Sequence, residues 1–317
     1  MWLRRGISMK YRINEELQPL TEKEPVLKED VILEIMTVEE YEKAGLVLPY
    51  RNVLNHGLDG IRFCKAEVFD RCMVGTLKIP LKPDVVTNFV SLAFYLKEHY
   101  LLFISEDSCL KEVMIAVRKM SALNDGSLGT FFYEFLQYFI NDDVSYLVRY
   151  EDRLFEIEDE ILSSKGKSSG LVKEFQQIRK NVLRMGTYYQ QLVDMLAIFV
   201  ENENGIFQEE ECHRLQIMME RCDRLYDLTM TIREYCMQLH DLSEAQIQNR
   251  QNNNMATLTV ITAICMPLTL IAGWYGMNFA YMPELQFHYG YIAVIVISAL
   301  IVTAEIVILK KKHFLDT

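Results

Sequence analysis

The sequence predicts an α/β cytoplasmic domain, followed by long helices and two C-terminal transmembrane helices. Three observations support this fold class. Short runs rich in β-branched and aromatic residues occupy the first third of the chain, a helical period persists from Cys109 onward, and two long runs almost without charge follow Asn254. Strands favour β-branched and aromatic residues, whereas an apolar run of about 20 residues is long enough to cross a membrane as a helix.

Residues 1–125 are expected to form the α/β subdomain. Turn-forming or polar residues separate its strand-like runs, as in a sheet with a few helices. The predicted elements are strands at 31–35, 61–69, 73–79, 90–95 and 100–104 and a helix at 110–124. The order of the strands in the sheet stays open at this point.

Residues 126–206 should form a long antiparallel helix pair, at 130–162 and 171–200, with a hinge at 163–170 where serine and glycine are frequent. Six acidic residues lie close together on the first of these helices: Glu151, Asp152, Glu156, Glu158, Asp159 and Glu160. They form either a solvated helix face or a carboxylate belt that raises the local cation concentration near a pore mouth.

Residues 207–254 should form a cytoplasmic stalk helix. Apolar and small residues repeat there with a seven-residue period, at Met218, Cys222, Leu225, Thr229, Ile232, Cys236, Leu239 and Ser243. No proline or glycine lies between Ile206 and Met266, so the helix should continue without a break into the first membrane span.

The membrane part is predicted to comprise a first span, an outer loop, a second span and a basic tail, at residues 255–274, 275–288, 289–309 and 310–317. At about 1.5 Å per residue, each span covers a hydrocarbon core of roughly 30 Å. The loop contains no lysine or arginine, whereas Lys310 and Lys311 follow the second span and Arg250 precedes the first. The positive-inside rule therefore places both termini in the cytoplasm. A pair of buried core helices is the alternative.

The charge distribution bounds the class of partner. The net charge is −11, and the residues after Asn254 are balanced, so the whole excess of acid lies in residues 1–254. An acidic soluble part argues against nucleic acid and favours cations. Seven cysteines without close pairing suit a reducing compartment, and the N-terminus has no apolar core of the length that a signal peptide needs.

The first span continues a stripe of small and polar residues from the stalk. At helical spacing this stripe contains Asp241, Ala245, Gln248, Asn252, Met255, Thr259, Thr262, Met266, Thr269 and Gly273. Such a stripe is typical either of a face on which helices pack closely or of a pore wall. Two helices cannot enclose an aqueous path, so a pore would require several copies of the chain.

Four segments near the C-terminus resemble a known family: Met266-Pro267-Leu268-Thr269, Ile271-Ala272-Gly273, Tyr275-Gly276-Met277-Asn278-Phe279 and Tyr281-Met282-Pro283-Glu284-Leu285. They are similar to the CorA magnesium transporters, and the specific match covers residues 266–312. The resemblance implies a cytoplasmic domain with α/β/α layers and a funnel-shaped homopentamer in the lipid bilayer. The first span would line the pore and the second would face lipid.

The resemblance also implies roles for individual residues. Gly276, Met277 and Asn278 would form the outer filter for hydrated Mg²⁺, and Glu284 would attract cations to it. The pore-lining positions would be Asp241, Asn252, Met255, Leu258, Met266 and Thr269, to which the stripe adds Thr262. Leu258 and Met266 are apolar enough to form a gate. Cytoplasmic Mg²⁺ would regulate closure in the family, but one carboxylate of that regulatory site falls on Ile217, with Glu220 nearly one turn away.

The expected function is passive uptake of Mg²⁺, with Co²⁺ and Ni²⁺ as further candidates, driven by the inside-negative potential. A Zn²⁺ or proton-coupled transporter of the same architecture is the alternative. It would need Cys and His near the path, but Cys265 lies one residue off the stripe, and Cys212, His213, Cys222 and His240 match no zinc spacing. A non-conducting membrane-anchored sensor is a further alternative. No nucleophile–base pair or nucleotide loop points to an enzyme.

Overall fold

A computed structural model gives the fold of most of the chain. It describes residues 9–14, 17–20, 24–27, 30–106, 109–120, 126–163, 168–277, 282 and 288–311. The chain divides into two compact units, Met1–Gln238 and Leu239–Thr317.

The first unit is built on a seven-stranded sheet. In chain order its strands β1 to β7 are Met9–Ile13, Leu17–Pro19, Val31–Met36, Lys65–Phe69, Cys72–Pro80, Phe89–Lys97 and Tyr100–Ile104. Their order in the sheet is β2-β1-β3-β7-β6-β5-β4. Strands β3 and β7 pair in parallel, and the other neighbours pair antiparallel.

Helices fill most of the remainder of the described chain. In chain order α1 to α8 are Val38–Ala44, Arg51–Leu58, Cys109–Met120, Leu128–Ile140, Asp143–Leu162, Ser168–Glu201, Glu209–Tyr275 and Gly290–Lys311. The predicted continuity of the stalk with the first span is confirmed, because α7 is a single helix of 67 residues.

Two boundaries differ from the sequence prediction. The strand predicted at 61–69 begins only at Lys65, because the N–H of Cys64 donates to the Gln191 side chain at 3.0 Å instead of to a neighbouring strand. The hinge predicted at 163–170 is shorter, because α6 already begins at Ser168. Strands β1 and β2 were not predicted at all, since their short runs mix charged and apolar residues without a clear strand pattern.

Helices cover both faces of the sheet. On β6, Tyr95 belongs to a buried cluster with Tyr41 of α1. The next residue back, Phe94, faces the other side, where its ring lies 5.5 Å from that of Phe132 on α4 and 6.0 Å from that of Phe199 on α6. Successive residues of a strand point to opposite faces, so one strand supplies side chains to both layers. The predicted α/β/α layering is confirmed.

The single helix predicted at 130–162 is wrong, because Asn141 and Asp142 separate α4 from α5. Short polar side chains compete with the helical backbone for hydrogen bonds and favour such breaks. The break also receives a contact from a distant part of the chain, since the guanidinium of Arg221 on α7 donates to the Asn141 carbonyl at 3.2 Å.

The acidic run of α5 lies on the side of the helix away from the core. Leu154 and Ile157 are buried, whereas most of the acidic side chains are exposed. Arg153 forms ion pairs with three carboxylates, those of Glu156, Glu160 and Glu174 on α6. The hydrogen bond from Arg153 lowers the pKa of Glu174 below its usual value. Arg153, which lies among the acidic residues, thus joins α5 to α6.

The start of α7 is fixed by one buried carboxylate. Glu211 accepts hydrogen bonds from the backbone N–H of Gln208 at 2.6 Å and from that of Gly129 at 2.7 Å. A Cβ on Gly129 would lie 2.6 Å from the Cβ of Glu211, so only glycine fits this close approach. The predicted seven-residue period then gives the buried face of the helix, at Met218, Cys222, Leu225, Thr229, Ile232 and Cys236.

Two adjacent tyrosines of α6 occupy the same buried region with different hydrogen bonding. The hydroxyl of Tyr189 donates to Asp143 Oδ2 at 2.7 Å, and Lys82 forms an ion pair with the other oxygen of this carboxylate. The hydroxyl of Tyr188 is buried and has no hydrogen-bond partner among the residues that the structure describes. A buried polar group without a partner costs stability, whereas a bonded one contributes to it.

Removing the two hydroxyls should therefore affect the free energy of unfolding differently. We expect Tyr189→Phe to lower the free energy of unfolding by about 1–3 kcal/mol, because a buried carboxylate loses a donor. Tyr188→Phe should leave it unchanged or raise it, and serves as the matched control. The thermal unfolding midpoint of the full chain in detergent measures both. Equal destabilisation by the two substitutions would contradict this account.

Candidate functional site: the polar face of the first membrane-length helix

Two helices are long and apolar enough to cross a membrane. They are α7, through its C-terminal part, and α8, and neither window is buried inside the protein. The predicted spans at 255–274 and 289–309 lie within these helices, apart from Tyr289, which precedes the first residue of α8. Both spans belong to the second unit.

One face of α7 is partly covered. Its half-buried positions recur at helical spacing, at Ala256, Val260, Ala263, Ile264, Pro267, Leu268 and Ile271. Those of α8 do the same, at Gly290, Val294, Ser298, Ile301, Val302, Glu305 and Leu309. Such a pair of stripes is expected where two helices pack along one face each. We therefore assign the covered face of α7 to its contact with α8.

The polar stripe lies on the opposite face of α7. At 3.6 residues per turn, the centre of the predicted pore-lining residues is roughly 140° around the helix from the covered face. All of the predicted pore-lining residues are exposed in the single chain, namely Asp241, Asn252, Met255, Leu258, Thr262, Met266 and Thr269. They share a strip about 120° wide. The structure thus brings these residues to one side of one helix, away from α8.

The threonine hydroxyls of this strip donate hydrogen bonds to backbone carbonyls. The hydroxyls of Thr259, Thr262 and Thr269 each donate to the carbonyl four residues earlier, at 2.8 Å. A hydroxyl oxygen has one proton and two lone pairs. With the proton engaged, the oxygen can only accept a further hydrogen bond, which the sequence alone did not indicate.

The C-terminal end of α7 is a turn around glycine. The N–H of Gly276 donates to the Ala272 carbonyl at 2.9 Å, and that of Met277 to the Trp274 carbonyl at 3.3 Å. A Cβ on Gly276 would lie 3.0 Å from the Ala272 oxygen, which is tight against backbone. The last carbonyls of a helix carry partial negative charge and favour a cation nearby. Asn278 and Glu284 lie outside the described residues.

Two features of the spans were missed or undervalued. Pro267 lies inside α7, so the Ala263 carbonyl has no N–H donor at its usual intrahelical partner. On α8, Glu305 Oε2 is buried without a hydrogen-bond partner among the described residues. A lone charge in a span is the signal that could have marked Glu305, because acids are costly there.

The described residues contain no group of three or more His, Cys, Asp or Glu that could hold a metal ion. Cys265 is exposed on α7, and Cys64, Cys72, Cys222 and Cys236 are buried. Burial raises the pKa of the Cys236 thiol to about 11 and that of the Cys222 thiol to about 12.

This combination defines a class of protein: an integral membrane protein with an α/β unit, a long helix that ends in a membrane span, and a second span after a short loop. The family model for the CorA-like Mg²⁺ transporter protein matches residues 50–311. The chain belongs to this family.

Individual relatives agree with this assignment. The cobalt/magnesium transport protein CorA of Thermotoga maritima is 28% identical over 183 residues, which are 58% of this chain and 52% of that protein. The chain thus matches about half of that relative's length. The CorA of Methanocaldococcus jannaschii is 24% identical over 270 residues, 83% of each chain. Its complete solved structure superposes with a TM-score of 0.77 at 20% identity, covering 97% of this chain and 98% of that one.

The exposed strip of α7 should be reached by water in membranes. In a Cys265→Ser background, we expect a charged, water-soluble maleimide to label Met266→Cys several-fold more than Leu300→Cys. Both native side chains are highly exposed in the single chain, at 69% and 65%, but Leu300 lies on the side of α8 that faces away from α7. Mass spectrometry of proteolytic peptides measures the labelling. Equal labelling of the two sites would contradict an aqueous strip.

Proposed function

We propose that this chain forms a homo-oligomeric channel for passive uptake of hydrated Mg²⁺ across the cytoplasmic membrane. Co²⁺ and Ni²⁺ are proposed as further permeant ions. The observation that carries the proposal is the polar strip of α7, which lies opposite the face assigned to α8 and ends at Gly276-Met277-Asn278. Membership of the CorA-like family and the names of its relatives support the choice of ion.

Assembly from several copies follows from the strip itself. Threonine side chains facing lipid would be unfavourable, and a single pair of helices has nothing else to cover them. Copies of α7 arranged around an axis would direct every strip to a shared aqueous path. Five copies are proposed from the resemblance to CorA, with α8 on the lipid side and both termini in the cytoplasm.

The filter is proposed to be the ring of Gly276, Met277 and Asn278 at the outer end. Mg²⁺ binds six oxygens at about 2.1 Å and releases its water reluctantly, so a filter that required dehydration would be slow. The Asn278 amide oxygen and the Gly276 carbonyl can accept hydrogen bonds from the bound water instead. Glu284 would add negative charge outside, and Asp241 and Asn252 would meet the ion at the inner end.

The driving force needs no nucleotide. An inside-negative potential of 100 mV favours entry of a doubly charged ion by roughly 4 to 5 kcal/mol. The side chains of Leu258 and Met266 are exposed on the strip. In an oligomer they would form apolar constrictions, where loss of water would stop conduction. These two rings are therefore the proposed gate.

Uptake into liposomes tests the proposal directly. The purified full chain should carry Mg²⁺ under an inside-negative potential, and Co²⁺ and Ni²⁺ should compete for entry. Zn²⁺ flux without Mg²⁺ flux would instead favour the zinc or proton-coupled alternative. That alternative receives no support from the described residues, which lack a cluster of metal-binding side chains.

Asn278→Ala should reduce Mg²⁺ uptake at least about tenfold, the loss that corresponds to about 1.4 kcal/mol in barrier height. The physical reason is the loss of the amide oxygens that receive the hydrated ion. Gln286→Ala removes an amide elsewhere in the same loop and should have little effect. Cross-linking should find the same oligomer for both variants. Uptake at the normal rate by Asn278→Ala would remove this residue from the filter.

Regulation by cytoplasmic Mg²⁺ is proposed to be weak at the family's stalk position. The residue there is Ile217, which is 44% exposed on α7 and has no oxygen ligand to offer a hard cation. Glu220 on the same helix accepts a hydrogen bond from Gln216 at 3.3 Å. The residues present at the position of Ile217 thus do not fit the family's regulatory ion.

Restoring an acid should restore sensitivity. We expect Ile217→Asp to lower the internal Mg²⁺ concentration that halves uptake by several-fold, because a carboxylate is a good ligand for Mg²⁺. Ile217→Asn provides a neutral polar side chain of similar size and should change that concentration much less. Liposomes loaded with graded Mg²⁺ measure the effect. Equal sensitivity of wild type and Ile217→Asp would mean that other carboxylates sense the ion.

A further inference from the structure

Thr262 lies midway between Leu258 and Met266, the two positions of the strip that are the proposed gate. Leu258 is four residues before it and Met266 four residues after it, so the three side chains follow one another at successive helical turns. All three are exposed in the single chain. The distance along the helix from Leu258 to Met266 is about 12 Å, and Thr262 is at its midpoint, about 6 Å from each.

The hydrogen bond of Thr262 fixes which polar group it can offer. Its hydroxyl donates to the Leu258 carbonyl at 2.8 Å. A backbone carbonyl inside a helix is a persistent acceptor, and this bond is common for threonine in membrane helices. The oxygen then has only its lone pairs to offer, and these accept hydrogen bonds but do not donate them.

A hydrated dication needs acceptors of this kind. Water bound to Mg²⁺ directs its oxygen to the metal and its hydrogens outward. Acceptors around the path stabilise that shell, whereas donors would oppose it. An apolar ring offers neither, and a path lined by apolar rings alone tends to lose its water.

We propose that Thr262 is a hydrogen-bond-accepting station that holds the water shell of the permeating cation between the Leu258 and Met266 rings, and so keeps the middle of the pore conductive. The proposal rests on the proposed channel function and adds a specificity-determining residue to it. The polarity of the station favours hydrated cations over anions, because an anion would require donors at this level.

A hydrogen bond from a threonine hydroxyl to the carbonyl four residues earlier does not by itself identify an acceptor site for the ion. Thr257 on α7 and Thr303 on α8 also donate to carbonyls four residues earlier, at 2.9 and 2.7 Å. Neither lies on the strip that contains Thr262. Position on the strip and a committed proton together make the acceptor available to the ion. Thr303 is therefore a matched control for the effect of the same substitution elsewhere in the spans.

The test uses the full chain in liposomes, with initial Mg²⁺ uptake as the readout. Thr262→Val keeps the shape of the side chain and removes the oxygen, and we expect uptake to fall about tenfold, equivalent to about 1.4 kcal/mol in barrier height. Thr262→Ser retains the oxygen and should stay within about twofold of wild type, equivalent to less than 1 kcal/mol. Thr303→Val should match wild type. Cross-linking confirms that every variant assembles equally.

Three outcomes overturn the proposal. Normal uptake by Thr262→Val would mean that the oxygen is not used. Equal loss in Thr262→Ser would show that side-chain volume, not the acceptor, matters. Equal loss in Thr303→Val would point to helix packing in general. A wild-type chain that carries no divalent cation would instead refute the channel function itself, and this result is distinct from the other three.

Discussion

A membrane helix that carries polar groups along one side needs something other than lipid on that side, and the membrane unit is organised by this constraint. The half-buried face of α7, which we assign to α8, is the apolar one. The side with threonine and asparagine is left exposed in the single chain, on the opposite surface. Neither helix can satisfy it alone, so the fold of one copy is incomplete until others join it.

In the first unit, specific contacts fix the residue at which the long helix α7 begins. The buried carboxylate of Glu211 accepts hydrogen bonds from two backbone N–H groups. One belongs to Gln208, just before α7, and the other to Gly129 at the start of α4. Gly129 permits the approach, because any larger residue would collide with Glu211. Because backbone donors cannot rotate away as side chains can, these two hydrogen bonds fix the position of the start of α7 closely.

Much of this architecture could be predicted from local patterns. The continuity of α7 followed from the absence of proline and glycine over sixty residues, and its buried face followed from the seven-residue period. The strip on α7 was also visible at helical spacing. Such features depend only on neighbours along the chain, and the sequence contains that information in full.

Features that depend on distant partners were not predictable. The break at Asn141 and Asp142 receives a hydrogen bond from Arg221, eighty residues away, and β1 joins the sheet through pairing with β3. The acceptor-only state of the strip threonines depends on a rotamer choice that sequence does not reveal. The buried oxygen of Glu305, which has no hydrogen-bond partner among the described residues, likewise depends on how the spans pack.

Pro267 gives α7 an uneven stiffness. The Ala263 carbonyl lacks its usual helical donor, because Pro267 has no backbone N–H. Bending a helix concentrates where such a bond is absent. Motion of the C-terminal end of α7 would therefore pivot one turn beyond Thr262, next to Met266, so that the segment bearing the glycine turn can tilt while the preceding part of the helix stays straight.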